Sequence, residues 1–435
     1  MIEKKCIILL VNLLFYFKTL KYQYVSDDIP SSQRKETHPK WKYWLLVFEG
    51  HLKSTPLIDH GITMILHSLV CVFIYTAFGA NEVSFIGALL FSLNPINNQG
   101  SVWISGRGYV FSALGMLMAM TFPYISPIFL LGATYSNAGF FAPIALSGSQ
   151  FSWMLLFMPL VWLFHWGRFK KNVGEKIKQE MYEEDKKVSV KKLILLIKTA
   201  SFYFVHSILP IKNTFYHSYM QSMAGSGRFK AYSLKDRFLW IGIAIIVGIF
   251  WYWITHPWDM ISFGFLWWII TIAPFCNLFR LHQEIAERYC YLPNVGLMIV
   301  LSSIIIKFPI LIPIFLTMYA TKMWFWMEAY RDDYLLVEHS IVASPGSWFA
   351  WHVKAIRKFE QQSYQEALTL WTMAKLLSPN ELKVLFNLAT TLRMGGHTKE
   401  ANQFMEMAKN NVPPGQEAAT EKLCKDWETK NFVIL

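Results

Sequence analysis

The sequence predicts an all-α protein, a polytopic bundle of membrane helices followed by a short region of helical repeats. Of its 435 residues, 54% are apolar and 17% aromatic, but only 16% are charged. Soluble chains carry about 25% charged residues, so a soluble enzyme domain, a coiled coil and a disordered chain all fit poorly. The apolar residues gather in about eleven runs, and the composition becomes that of a soluble helical region near residue 327. These observations predict a transmembrane domain at 1–326 and a repeat domain at 327–435.

The first apolar run, from Cys6 to Phe17, follows a basic N-terminus as in a signal peptide. Lys18, Tyr22 and Tyr24 stand where a cleavage site would need small residues, so this run is predicted to remain as a first span. Several of the later runs are shorter than the ~20 residues of a straight span, and those are expected to be tilted, broken or buried among other helices. The later runs lie at 57–78, 83–94, 108–122, 124–146, 150–166, 193–211, 237–254, 259–275, 292–306 and 308–326.

The orientation follows from the loop 168–192, which holds nine Lys and Arg. Cytoplasmic loops of membrane proteins collect such residues, so we expect this loop and the N-terminus inside the cell. Counting spans then places the loops 21–56, 95–107 and 276–291 on the outer face, together with the C-terminal repeats. The prediction is a multi-pass protein of the bacterial inner membrane, with the endoplasmic reticulum as the alternative.

The net charge of +12 comes from 41 Lys and Arg against 29 Asp and Glu. In a membrane protein, basic loops explain this excess, so no nucleic-acid partner is predicted. The five cysteines are widely spread without a CxxC pair, and no HExxH spacing occurs. We therefore predict neither a disulfide framework nor a metal site.

The C-terminal region shows a 34-residue period. Proline recurs at 345, 379 and 413, and adding 34 to Trp351, Ala355, Ala367 and Ala374 gives Leu385, Ala389, Ala401 and Ala408. Small residues at helix crossings and a Pro after the second helix are typical of tetratricopeptide repeats, predicted here at 348–381 and 382–415. An unrelated pair of helical hairpins is the alternative. A lone helix at 328–342 and a capping helix near 416–430 would flank them, and the repeats would lean on the bundle and bind a partner protein.

An acidic pair, Asp27 and Asp28, follows the first predicted span within the segment YVSDDIP at 24–30. A carboxylate at the membrane interface, near apolar walls, can have the raised pKa that a general base acting on an alcohol needs. The alternative is a solvated loop or a helix N-cap, where acidic side chains are common.

The second polar segment, 94–107, is rich in side chains that could hydrogen-bond a sugar, and it ends at a lone arginine, Arg107. The planar fork of Arg suits a phosphate, whereas the alternative is a side chain that only reaches the lipid headgroups from a helix end. The candidate sugar or acceptor ligands of this segment are Asn97, Gln99, Trp103 and Ser105.

The third polar segment begins at His282, a further candidate ligand of the sugar or acceptor, and runs into an apolar stretch. Glu287 and Arg288 adjoin Tyr289 and Tyr291. Such a set suits a sugar phosphate, because the cation can bind phosphate, the carboxylate can bind hydroxyls and the rings can cover sugar faces. The alternative is an interfacial aromatic belt with a local ion pair.

Together, three segments resemble a known family. The acidic pair Asp27 and Asp28, the run from Pro95 to the end of WISGR, and AERYCYLPNVG at 286–296 are similar to segments of the transmembrane and tetratricopeptide-repeat O-mannosyltransferase-like proteins. Those proteins are polytopic glycosyltransferases of the GT-C class, and bacteria have many relatives with the same plan. The resemblance covers most of the chain, and 123–275 is its least diagnostic part.

The resemblance implies a GT-C-like fold and transfer of a sugar from a polyprenyl-phosphate carrier to a hydroxyl of a protein or glycan acceptor, with inversion. The lipid-linked sugar would be the donor substrate, and no other cofactor is implied. Asp27 or Asp28 would be the catalytic base, and Arg107 and Arg288 would hold the lipid phosphate. Asp28→Asn is therefore expected to abolish transfer, and Arg288→Ala to weaken donor binding.

The chain departs from the family pattern in the second segment. Family members usually carry His at the positions of Asn94 and Asn97, Glu at that of Gln99 and Asp at that of Tyr109. The neutral side chains found here can still hydrogen-bond a sugar but cannot shuttle a proton or bind a metal well. Either the donor sugar differs or activity has been lost.

Two alternatives to the transferase remain. One is an inactive membrane scaffold whose repeats hold partner proteins, which the neutral residues of the second segment favour. The other is a lipid-linked sugar transporter, which would need a continuous polar path through the spans. Only scattered polar residues such as Asp59, His60 and Lys198 lie within the predicted spans.

Overall fold

The computed structural model describes residues 2–29, 55–133, 189–219, 233–257, 259–277 and 283–412, with 143–144, 146, 152–159, 163, 420–421, 424–425, 427 and 434. Several predictions lie outside the described residues. They concern His282, the rest of the first loop, most of the basic loop 168–192, and the greater part of the two predicted spans within 124–166 and of the capping helix.

The regular structure of the described residues is helical throughout, without a strand, which confirms the all-α class. The helices of the bundle are α1 (Ile2–Tyr16), α2 (Pro56–Ala77), α3 (Glu82–Leu93), α4 (Asn98–Ser101), α5 (Arg107–Thr121), α6 (Ser126–Ala133), α7 (Val190–Ile208), α8 (Arg237–Thr255), α9 (Met260–Ile272), α10 (Tyr291–Ile305) and α11 (Leu311–Met327). The C-terminal helices are α12 (Asp333–Ala343), α13 (Trp348–Glu360), α14 (Tyr364–Leu377), α15 (Leu382–Met394) and α16 (Thr398–Asn410). Short 3-10 turns lie at Phe17–Lys21, Pro95–Asn97, Ile104–Gly106, Pro123–Ile125, Ser152–Phe157, Ala273–Phe275, Glu287–Cys290 and Glu328–Tyr330.

Only three helices of the described residues are long and apolar enough to span a membrane, so the prediction of about eleven spans is wrong for this part of the chain. They are α2, α8 and the continuous segment Glu287–Ile305. Other apolar runs form shorter helices: α1 has 15 residues, or about 22 Å at 1.5 Å per residue, less than the ~30 Å of a bilayer core. Helix α5 ends early because of a proline. Pro123 disfavours helical geometry at Phe122, the residue directly after α5.

The helices of the bundle differ in their environment. In the segment Glu287–Ile305, which contains α10, 94% of the most apolar window is buried inside the protein. In α8 the corresponding share is only 17%. A side chain at Gly296 would place its Cβ 2.4 Å from the carbonyl oxygen of Gly264, so glycine lets α9 and α10 approach closely. The outward side of α8 is instead covered by large apolar side chains, among them Trp240, Val247, Phe250, Trp251 and Ile254.

The C-terminal region consists of two helical pairs. Helix α13 begins at Trp348 and α15 at Leu382, 34 positions later, while α14 and α16 begin at Tyr364 and Thr398, again 34 apart. The predicted repeats at 348–381 and 382–415 therefore begin where the two pairs begin. The identification of these pairs as tetratricopeptide repeats remains a prediction.

Helix α12 joins the repeats to the bundle. Two repeats are too few to bury a stable core alone, so the sequence predicts that they pack against the bundle. One apolar cluster contains Tyr16 of α1, Trp103, Met327 of α11, Val337 of α12 and Ala350 of α13. Because this core is shared, the first helical pair packs against the polar loops of the bundle.

Candidate functional site

The acidic pair lies in a tight turn after α1. Ser26 has a left-handed backbone with φ of 52°, and the amide of Asp28 donates to the carbonyl of Val25 at 3.0 Å. Asp28 is buried, and its Oδ1 accepts hydrogen bonds from the amide and the hydroxyl of Ser105 at 2.8 and 2.5 Å. Burial raises the pKa of Asp28 to about 7, although the hydrogen bonds from Ser105 oppose the rise.

The neighbouring carboxylate of Asp27 lies in a different environment. It is exposed, and it has no hydrogen bond or ion pair within the described part of the chain. Asp27 lines a cleft of about 180 Å³, together with Trp103, Gln283 and Arg288 of the bundle and one face of helix α13. Of the two predicted bases, Asp27 is therefore the one that a ligand in this cleft could contact.

Arg288 brings a buried cation to the same cleft. Its Nη1 donates to the side-chain oxygens of Gln99 at 3.3 Å and Gln283 at 3.1 Å. Its guanidinium carbon lies 5.4 Å from the ring centre of Trp103 and 5.0 Å from that of Tyr289. No ion pair joins Arg288 to a carboxylate of the described residues. Neutral side chains and aromatic faces surround the guanidinium, and the Asp27 carboxylate of the same cleft acts on its charge only beyond ion-pair distance, so the arginine can bind an anionic group.

Trp103 lines the cleft and carries a buried donor for which the described residues supply no acceptor. The residue is 5% exposed, and its ring packs edge-on against Phe215 at 5.1 Å. Its Nε1 has no acceptor within the structure as described. A buried indole N–H usually finds a partner, so a ligand oxygen in the cleft could supply one.

Arg107, the second predicted phosphate ligand, lies elsewhere. Its Nη2 forms a buried ion pair with Oδ1 of Asp59 at 2.9 Å, and its Nε donates to Thr63 at 2.7 Å. The other oxygen of Asp59 accepts from the hydroxyl of Tyr24 at 2.8 Å. Arg107 is not part of the cleft lining, so the structure does not bring the two predicted arginines together there.

Glu287 faces the protein interior. Its Oε1 accepts from the amide of Thr214 at 2.8 Å and from Asn213 at 3.2 Å, and its Oε2 accepts from Trp326 at 3.3 Å. The carboxylate therefore anchors the connection after α7 to the turn that precedes α10.

Other predicted sugar ligands are also used internally. Asn97 donates to the carbonyl of Phe91 at 2.7 Å and accepts from Asn294 at 3.0 Å. Tyr289 stacks on Phe275 with ring centres 4.4 Å apart. The hydroxyl of Tyr291 lies 2.6 Å from Nδ1 of His67. Ser105 and Gln99 do not line the cleft. They hydrogen-bond Asp28 and Arg288, respectively.

Several residues of the site were missed in the sequence. Gln283 holds Arg288, Asp59 neutralises Arg107, and Arg357 of α13 lines the cleft. In the sequence, Asp59 is one polar residue of an apolar run, and the local signal of its pairing is that a lone acid and a lone arginine each stand near the start of such a run. Arg357 gave none, because its place depends on how the repeats dock.

A second, apolar cavity lies between α7, α8 and α9. It has a volume of about 390 Å³, and its lining includes Leu196, Ile246, Phe250, Trp268 and Cys276. Its Cys276 end lies next in the chain to Phe275, which stacks on Tyr289 beside Arg288. The apolar cavity therefore reaches the residue that follows Phe275 of this aromatic pair.

Comparison of the chain with family models, with curated proteins and with solved structures finds no significant match. In the described ranges, no three His, Cys, Asp or Glu side chains gather as metal ligands. The resemblance of the three polar segments therefore depends on their residues alone.

Proposed function

We propose that the protein is an integral-membrane glycosyltransferase of GT-C type, which moves a sugar from a polyprenyl-phosphate carrier to a hydroxyl of a protein or glycan acceptor. The observation that carries the proposal is the shared cleft of Asp27 and Arg288. An accessible carboxylate and a buried arginine that is not ion-paired to it are the two groups that this reaction needs.

In this mechanism Asp27 accepts the proton of the acceptor hydroxyl while the hydroxyl oxygen attacks the anomeric carbon. The bond between that carbon and the phosphate oxygen breaks, and polyprenyl phosphate leaves with the electron pair. Arg288 stabilises the leaving phosphate, and attack from the opposite side inverts the anomeric centre. Asp28 does not touch substrate; through Ser105 it holds the turn that presents Asp27.

The apolar features of the structure support a lipid-linked donor. The cavity between α7, α8 and α9 offers an apolar surface to a polyprenyl chain, and it ends near the pair Phe275 and Tyr289 beside Arg288. The large apolar side chains on the outer side of α8 match a helix that faces lipid. Within the proposal, the cleft and the repeats lie on the extracytoplasmic face.

An inactive scaffold is the second candidate, favoured by a specific observation. Asn97 and Glu287 use their polar groups in internal contacts, and Arg107 forms an internal ion pair, as structural residues would. In this function the repeats bind partner proteins, while the bundle only anchors them.

Transfer in membrane preparations distinguishes the two candidates. Radiolabelled polyprenyl-phosphate sugars of several kinds are supplied, and label that enters membrane protein and glycan is counted. Asp27→Asn is expected to lower the rate by roughly 10²- to 10⁴-fold, the usual share of a general base. Glu400→Gln, on an exposed part of α16, is the matched control. Full transfer by Asp27→Asn would refute the assigned base, whereas no transfer by the wild type with any donor would favour the scaffold.

A further inference from the structure

Helix α13 of the first helical pair forms one wall of the cleft. It contributes Phe349, Val353, Ile356 and Arg357, with spacings of four, seven and eight residues from the first. Residues at these spacings lie on one face of a helix, so a continuous face of the repeat region lines the cleft. The cleft is therefore shared between the bundle and the repeats.

The two arginines of the cleft differ in their charge balance. Arg288 forms no ion pair within the part of the chain that the structure describes, and the Asp27 carboxylate of the same cleft acts on it only at longer range. Arg357 forms two ion pairs, because its Nε donates to Oδ2 of Asp333 at 2.6 Å and its Nη1 to Glu360 at 3.1 Å. A guanidinium neutralised in this way suits a neutral hydroxyl better than a second phosphate, because carboxylates already balance its charge.

The Asp333 carboxylate also ties this wall to the catalytic turn. Its Oδ1 accepts the amide hydrogen of Ser26 at 2.7 Å, while its Oδ2 holds Arg357. Ser26 directly precedes Asp27. One half-buried carboxylate thus fixes the guanidinium on α13 and the turn that carries the proposed base.

We infer that the half-buried face of α13 that lines the cleft binds the sugar of the donor, with Arg357 as its hydrogen-bond donor and Phe349, Val353 and Ile356 as its apolar floor. The inference rests on the proposed transferase function. The sugar is bonded to the phosphate, so it must lie in the same cleft as Arg288. The volume of about 180 Å³ is below the range of about 300 to 1,000 Å³ for drug-sized ligands, which fits a single sugar.

Binding of two kinds of probe tests this assignment. Farnesyl phosphate carries the phosphate alone, whereas farnesyl phosphate mannose and farnesyl phosphate glucose also carry a sugar. Dissociation constants are measured for the whole protein in lipid nanodiscs. A sugar-bearing probe is expected to bind the wild type more tightly than farnesyl phosphate does. Arg357→Gln should remove that gain, weakening the sugar-bearing probe roughly 10-fold, the value of a hydrogen bond from a charged donor, without affecting farnesyl phosphate.

Three further variants make the result decisive. Val353→Phe should obstruct the sugar without removing the ion pair of Arg357, and it covers the case in which Arg357→Gln fails to fold. Arg393→Gln, at the end of α15, is the matched control and should bind both kinds of probe as the wild type does. Arg288→Gln should weaken both kinds of probe.

The outcomes separate the inference from the function on which it rests. Equal binding of all probes by the wild type, or normal sugar-dependent binding by both α13 variants, would overturn the role of α13. The transferase proposal would survive that result if Arg288→Gln still weakened farnesyl phosphate. Binding of farnesyl phosphate that does not depend on Arg288 would overturn both.

Discussion

Arg107 and Asp59 form an ion pair in the interior of the bundle, with Nη2 of the arginine 2.9 Å from Oδ1 of the aspartate. The pair joins the start of α5 to the first turn of α2, and Thr63 and Tyr24 add hydrogen bonds to it, while Nη1 of Arg107 has no partner among the described residues. The resemblance implies a phosphate ligand at this arginine, but its partners are those of a structural residue.

The first prediction concerns this pair. Arg107→Met should lower the free energy of unfolding by about 3 to 5 kcal/mol, because it leaves the buried Asp59 carboxylate without its cation. The double variant Asp59→Asn with Arg107→Met should recover part of the loss. Unfolding in detergent micelles measures both, with farnesyl phosphate binding followed in parallel. Normal stability combined with lost binding would instead make Arg107 a phosphate ligand.

The second prediction follows from the burial of Asp28. Its pKa is about 7 in the folded protein and near 4 when unfolded, so the folded state holds the proton more tightly. Wild-type stability should therefore fall relative to Asp28→Asn as the pH rises from about 4 to about 7, by up to about 4 kcal/mol, and then stay constant. Unfolding midpoints of both proteins at pH 5 and pH 8 measure the difference. An identical pH response in the two proteins would show that Asp28 titrates normally.

The third prediction concerns the close approach of Gly106 to α4. A Cβ at this position would lie 1.9 Å from the carbonyl oxygen of Gln99, whose side chain holds Arg288. Gly106→Ala should cost about 1 to 3 kcal/mol of stability by overpacking, and it should also weaken farnesyl phosphate binding.

The matched control for this glycine is Gly132→Ala in α6, where an added Cβ would meet open space. Alanine is the better helix former, so this change should be neutral or stabilise by up to about 1 kcal/mol. Equal stability of the two variants would mean that the segment 98–106 shifts at no cost to make room for the added Cβ.

Local patterns of the sequence predicted part of this structure. The repeat starts at Trp348 and Leu382 follow from a 34-residue period that each helical pair carries within itself. The position of Asp27 and Asp28 shortly beyond the first apolar run was also readable, because only the 3-10 turn Phe17–Lys21 and a short extended segment separate them from α1. The span count was too high because an apolar run reveals its composition but not where its helix ends, as at Pro123.

Long-range pairing could not be read from the sequence. Asp59 and Arg107 are 48 positions apart, and Asp333 is 307 positions from Ser26. Each contact depends on which helices become neighbours, and that is decided by the packing of apolar faces rather than by a polar motif. The same reason hid Arg357, which reaches the cleft only because α13 docks against the bundle.

The most direct test of the account is a density map of the protein in lipid nanodiscs with farnesyl phosphate. The account predicts phosphate density within hydrogen-bonding distance of Arg288, with the Asp27 carboxylate facing the same space and the farnesyl chain near Phe275. Phosphate bound at Arg107, or a cleft closed by an ion pair between Asp27 and Arg288 with no lipid, would contradict it.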